Sequence, residues 1–253
     1  MALPKSVAKR LHPTDRYGLR LTLTAVAIVL VAVPFSYLLL EVLSHGPLTR
    51  ADQSAAVHLV HVAAHRPWLV TTLKAISLLG QPLWLGIAIA IGASYVFWRG
   101  RRRLALYLVV TAIGGGLVDT AVKLLVNRPR PDAHAALVHA LGKSFPSGHA
   151  MSSTVTYGAL LLVLLPALPR RGKVAAFAAT VALVLLIGIS RLMLGVHFIS
   201  DVVGGYILGL AWLVGSTAAF SIWRKEEGKA PVDPSEGLEP DAGEDLRPHV
   251  EAG

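Results

Sequence analysis

Cysteine is absent from the chain. Its absence excludes disulfides, thiolate nucleophiles and cysteine-ligated metals, and leaves the redox compartment undetermined. Charge is scarce as well: charged residues make up 15% of the 253 positions against 54% hydrophobic ones, and mean hydropathy is +0.59. A chain of this length could form one or two soluble domains, but that balance belongs to a membrane protein. Acidic residues are outnumbered, 15 against 24 Lys and Arg, for a net charge of +9. Such an excess could serve nucleic acid, yet the basic residues cluster at the ends of apolar runs rather than along one polar face. That placement sets topology, and no nucleic-acid partner is expected.

Six apolar runs are long enough to be read as spans, near Leu21–Leu43, Leu83–Trp98, Leu104–Val126, Ser147–Leu165, Val174–Ile189 and Val202–Trp223. The first exceeds a signal-peptide core and lacks a small-residue cleavage site, so it reads as an uncleaved anchor. The expected organisation is a basic N-terminus over 1–20, an all-α six-helix membrane domain over 21–223 and an acidic tail over 224–253. The tail holds nine of the 15 acidic residues with several Pro and Gly, a composition that predicts disorder. Ala51 to His65 has helical spacing with a loosely apolar side, which predicts a short helix lying at the interface. His58, His61 and His65 share one face of it, but no carboxylate or cysteine stands at ligand spacing and no metal site is expected.

With both ends on one side of six spans, that side collects 16 of the 24 Lys and Arg, and the positive-inside rule makes both termini cytoplasmic. The ends of spans three and five and the starts of spans four and six then meet at the extracytoplasmic face. Three polar blocks lie there: Lys123 to Pro131, Phe145 to His149, and Ser190 to Asp201. Ionisable groups at membrane depth are costly and mark functional sites by default. Lys123 has two readings, an ion pair with Asp119 one turn below or contact with a bound phosphate. Arg130 and Arg191 at the same face favour phosphate, because three cations repel one another unless an anion joins them. In the second block Pro146 suits helix entry, Ser147 can cap, and Gly148 lets backbone N–H groups approach an anion. His149 stands at the mouth, able to protonate a leaving oxygen. His197 and Asp201 are four apart, so the carboxylate can hold one ring nitrogen and leave the other free to attack.

Lys123 with six residues before Arg130-Pro131, then Pro146-Ser147-Gly148-His149, then Ser190-Arg191 with five residues before His197 and three more before Asp201, resembles the three-part signature of the type 2 phosphatidic acid phosphatase superfamily. The resemblance covers about Leu21 to Trp223, and Asp52 to Gly80 is similar to the lead-in of bacterial members. It implies a membrane enzyme of the bacterial inner membrane that hydrolyses a lipid phosphate through a phosphohistidine, with no metal or other cofactor. His197 would be the nucleophile, Asp201 its orienting group and His149 the general acid. Lys123, Arg130, Ser147, Gly148 and Arg191 would hold the phosphoryl oxygens.

Undecaprenyl diphosphate, phosphatidylglycerophosphate and phosphatidic acid all remain open as substrates, and oligomeric state is not readable. The competing expectation is an anion-binding or transport protein that uses the same cations without turnover. Inverted repeats and paired broken helices, common at transporter sites, are not evident in the sequence, and a binding protein has no need of a nucleophile backed by a carboxylate.

Overall fold

The computed structural model describes residues 32–44, 46–131, 136–229, 232 and 234–247. The expected basic N-terminus and the first part of the Leu21–Leu43 run lie outside the described residues. Among those described, the regular structure is helical: α1 (Ala32–Leu43), then α2 (Pro47–Ala64), α3 (Pro67–Leu78), α4 (Pro82–Trp98), α5 (Arg102–Val126), α6 (Gly148–Leu164), α7 (Arg170–Met193) and α8 (Ile199–Glu226). Proline opens α2, α3 and α4, where its missing N–H costs nothing. α5 stops at Asn127, whose φ of 54° places it in the left-handed region that ends a helix.

Four of these helices, α5 to α8, are long and apolar enough to cross a membrane, matching expected spans three to six, and α3 with α4 makes a fifth if that pair, bent by 45°, is one span. The expected second span corresponds to α4, which follows α3 across this bend. The Gly80-Gln81-Pro82 sequence causes the break, because Pro82 can start a helix but cannot continue one.

α6 lies at the centre. Of its apolar window 56% is buried, against 17–28% in the other three spans, so the others face outward and it does not. Its tightest neighbour is α8, which offers glycine where the helices meet. A Cβ on Gly205 would stand 2.7 Å from the Ser147 carbonyl oxygen, and one on Gly209 would stand 2.9 Å from that of Met151. Two glycines four apart thus let the backbones approach as in small-xxx-small packing.

Residues 234–247 correct the expected disordered tail. They fold back onto the bundle, burying Leu238, Ala242 and Leu246 against Val96, Leu104, Leu108, Val163 and Phe220. The Leu238 N–H donates to the Leu162 carbonyl at 3.0 Å, and the Tyr95 hydroxyl donates to that of Leu246 at 2.7 Å. The acids meet the basic turns: Arg101 pairs with Glu239, Asp241 and Asp245, Arg224 with Glu239 and Asp241, and Lys173 with Glu236. An acidic, Pro- and Gly-containing segment predicts disorder when taken alone; here the bundle supplies its counter-charges and apolar partners.

Candidate active site

The three polar blocks converge at the end of the bundle opposite that cap. A cavity of about 960 Å³ there is lined by Lys123, Arg130, Gly148, His149, Arg191 and His197, together with residues of α3 and the loop 137–141. Sequence placed those six in one site, and the fold brings them to one cavity.

Each block arrives by a local device. α5 carries Asp119 and Lys123 one turn apart, with Lys123 Nζ 2.5 Å from Asp119 Oδ1. The ion-pair reading of Lys123 is realised, and the paired ammonium also lines the cavity. The helix entry at Gly148 sits against this pair: a Cβ there would stand 3.1 Å from both Asp119 Oδ2 and Lys123 Nζ. Ser147 departs from its expected capping role. It occupies the N-cap position of α6, but its buried hydroxyl makes no cap bond and has no protein partner. Its N–H instead donates to the Asp201 carbonyl at 2.9 Å, tying the start of α6 to the start of α8.

His197 is held between a carboxylate and a cation. Its Nδ1 lies 3.4 Å from Asp201 Oδ2, and its Nε2 lies 3.2 Å from Arg130 Nη1. Arg130 can only donate, so Nε2 is the acceptor and the proton belongs on Nδ1, facing Asp201. That tautomer turns the Nε2 lone pair, engaged by Arg130, toward the cavity that both residues line. Burial pushes the His197 imidazole down to about 4; Asp201 pulls it up, and Arg130 and Arg191 add to the lowering. The ring is therefore neutral at neutral pH.

Asp201 is the third residue of α8 and accepts from the Phe198 N–H at 2.8 Å, half of a capping box at the positive end of the helix. Arg130 is fixed by three backbone carbonyls, Val196 at 2.8 Å, Leu141 at 2.9 Å and Gly142 at 3.1 Å. Arg191 donates from Nη1 to Ser77 Oγ at 2.6 Å. Its Nε, Ser147 Oγ and His149 Nε2 are buried without a protein partner. Arg191 and His149 line the cavity, and its cationic lining suits an anion with several oxygens.

Sequence reasoning did not assign Ser77, Lys74 or His139 to the cavity, nor Asp52, Arg128, Ser144 and Ser200 to the ground behind Asp201. A second Arg-Pro pair, Arg128-Pro129, just before Arg130-Pro131 was the available signal for Arg128. Glu41 accepts from the Leu48 N–H at 3.3 Å and so serves the start of α2. His61 and His65 stack with ring centroids 4.4 Å apart and line a separate cavity of about 590 Å³. Among the described residues no three His, Asp or Glu converge as metal ligands.

Comparison with known proteins carries the arrangement further. Residues 104–225 match the PAP2 superfamily. The chain is 37% identical over 180 residues to phosphatidylglycerophosphatase B of Bacillus subtilis (strain 168), covering 69% of this chain and 87% of that protein. It is 32% identical over 165 residues to decaprenylphosphoryl-5-phosphoribose phosphatase of Mycobacterium tuberculosis (strain CDC 1551 / Oshkosh), covering 63% and 85%. The crystal structure of a transmembrane PAP2-type phosphatidylglycerolphosphate phosphatase from Bacillus subtilis superposes with a TM-score of 0.69 at 30% identity, covering 79% of this chain and 96% of that one. Family match, relatives and fold agree, and the chain belongs to the PAP2 superfamily of membrane phosphatases.

Proposed function

We propose that this protein hydrolyses a lipid phosphate or diphosphate at the extracytoplasmic face of the bacterial inner membrane, through a phosphohistidine at His197. The observation that carries this reading is His197 itself: a buried, neutral imidazole with Nδ1 toward a carboxylate and Nε2 beside Arg130, in a cavity lined by the cations Lys74, Lys123, Arg130 and Arg191. Nε2 attacks phosphorus, the bond from phosphorus to the lipid-side oxygen breaks, and His149 gives that oxygen its proton. Water then attacks the phosphohistidine, losing a proton to His149, and orthophosphate leaves with His197 restored. Lys123, Arg130, Arg191, Ser147 and the amide at Gly148 hold the equatorial oxygens as charge shifts. A monoester yields a lipid alcohol; a diphosphate yields a lipid monophosphate.

Topology belongs to the same proposal. The Leu21–Leu43 run supplies a first span, the bent α3–α4 pair the second, and α2 lies at the interface. Both termini are then cytoplasmic, and the folded acidic tail caps the cytoplasmic end. A lipid headgroup at the outer leaflet reaches helix-end residues while its chain stays among the spans.

The test is phosphate release by the detergent-purified full chain from undecaprenyl diphosphate, phosphatidylglycerophosphate and phosphatidic acid, each in EDTA, beside His197→Ala. Release that persists in EDTA and falls at least about a thousandfold in the variant is expected. The relative rates then rank the substrates. Absence of release from every lipid by folded protein would transfer the site to anion binding or transport.

A further inference from the structure

Behind Asp201, on the side away from the cavity, lies a closed network of buried charge. Arg128 is 7% exposed, Asp52 3% and Asp201 fully buried, so solvent does not screen their interactions. Arg128 Nη1 donates to Asp201 Oδ1 at 2.6 Å and to Ser200 Oγ at 2.7 Å, and its Nη2 donates to Asp52 Oδ2 at 3.1 Å. The Ser200 hydroxyl donates to Asp52 Oδ2, and the Ser200 N–H donates to Asp52 Oδ1 at 3.2 Å. Asp201 Oδ2 accepts from the Ser144 hydroxyl and the Phe198 N–H. The Arg128 guanidinium lies over the Phe198 ring, 4.3 Å from its centroid.

Three features set Arg128 apart from the other arginines here. It does not line the cavity, whereas Arg130 and Arg191 do. Each of its terminal nitrogens donates to a buried carboxylate, Asp201 or Asp52, whereas those of Arg130 donate to backbone carbonyls. One of those oxygens belongs to the carboxylate that faces His197. Its other anchor, Asp52, stands on α2, outside the 104–225 stretch that defines the family match. A buried carboxylate with one cation and two further donors is locked in rotamer and charge; without the cation it is an uncompensated buried anion.

Resting on the phosphatase reading above, we propose that Arg128, anchored by Asp52, is the positioning residue of the His197–Asp201 pair and acts by fixing Asp201 rather than by binding phosphate. It holds Oδ1 so that Oδ2 presents to His197 Nδ1, which keeps Nε2 aimed at phosphorus. It also offsets the negative field of Asp201 at the imidazole. The charged and titratable groups that face His197 are Asp201 on α8, Arg130 in the loop after α5, Arg191 on α7 and His149 on α6, with Lys123 and Asp119 farther along α5. Arg128 reaches the ring only through Asp201. Removing it strengthens the pull of that carboxylate on the imidazole proton and moves the acid limb of kcat/KM to higher pH.

The experiment compares the full chain in detergent with Arg128→Ala, Arg128→Lys, Asp52→Asn and the pair Arg128→Ala with Asp52→Asn, beside Lys123→Ala. The readouts are kcat, KM, inhibition by inorganic phosphate, pH profile and thermal stability. In Arg128→Ala, kcat is expected to fall on the order of 10- to 100-fold, as for outer groups that orient a reacting ligand, while KM and phosphate inhibition change by less than about twofold. Arg128→Lys regains part of kcat, Asp52→Asn loses less than Arg128→Ala, and the double variant is no worse than Arg128→Ala alone. Lys123→Ala weakens phosphate inhibition instead. Loss of phosphate inhibition in Arg128→Ala with kcat preserved would make Arg128 a phosphate ligand and overturn the proposal. So would unchanged kcat and acid limb in Asp52→Asn and Arg128→Lys, which decide the matter if Arg128→Ala does not fold. Wild-type protein inert toward every lipid defeats the phosphatase reading itself, a result separate from wild-type turnover that these variants leave untouched.

Discussion

The proposed attack of His197 on phosphorus needs a neutral imidazole, and burial keeps the ring neutral. An ordinary histidine titrates near 6.5, so an exposed nucleophile would lose activity as pH falls through that value. His197, lowered to about 4, holds its lone pair through that range. The acid limb of kcat/KM, corrected for ionisation of the substrate, is therefore expected nearer pH 4 than 6.5. A limb near 6.5 would mean that the ring is wetter or more tightly bound to Asp201 than the geometry has it. At this scale the sequence was legible where partners are close along the chain. His197 and Asp201 are four residues apart, and a helix start was enough to pair them. Asp52 and Arg128 are 76 positions apart, and Arg128 and Asp201 are 73 apart. No local period links such residues; only the packing of α2 beside α8 does. Ser147 follows the same rule: the residue type suits a cap, but its hydroxyl is buried without a protein partner and its amide donates to the Asp201 carbonyl on α8.

At the scale of elements, the site depends on how closely α8 can approach α6. Gly205 faces the Ser147 carbonyl oxygen at 2.7 Å from where a Cβ would sit and the Ala150 Cβ at 3.0 Å, so a side chain there must push backbone rather than rotate a neighbour aside. Gly205→Val is expected to cost about 1–3 kcal/mol through overpacking. It should also lower kcat, because the Ser147–Asp201 bond crosses this seam. Gly215 lies on the same helix with nothing within 4 Å of its Cβ position, and Gly215→Ala should leave thermal stability and turnover unchanged. A Gly205→Val protein that melts no lower than Gly215→Ala would show that close approach of the two backbones does not matter here, since helix propensity alone favours both substitutions. Helices α5 to α8 were legible as spans because each is a long apolar run with charges at its ends. The α3–α4 element was only half legible: Trp68 to Leu79 mixes polar and apolar residues, and its link to α4 is a 45° bend that an apolar-run count cannot see.

The whole molecule separates chemistry from closure. The cavity gathers the signature residues at one end of α6, and the folded tail covers the other. The 17 residues of α6 set these ends about 25 Å apart. The tail segment is held by apolar burial first, since Leu238 is fully buried and Leu246 is 2% exposed. Its ion pairs are of two kinds. Arg224 with Glu239 is buried at 4% and 3% side-chain exposure, whereas Asp241 and Asp245 are 54% exposed, where pairing contributes little. Leu238→Ala is therefore expected to remove about 2–5 kcal/mol, the range for a leucine truncated in a packed core, while Asp245→Ala changes stability by less than about 1 kcal/mol. Neither residue touches the cavity, so kcat and KM at a temperature below both transitions should match the parent. The check is a thermal unfolding series in detergent paired with turnover at one permissive temperature. A lower melting temperature with unchanged turnover makes the tail a structural closure of the bundle. A fall in kcat at full folding would show instead that the far end of α6 transmits to His149, which the separation of the two ends argues against.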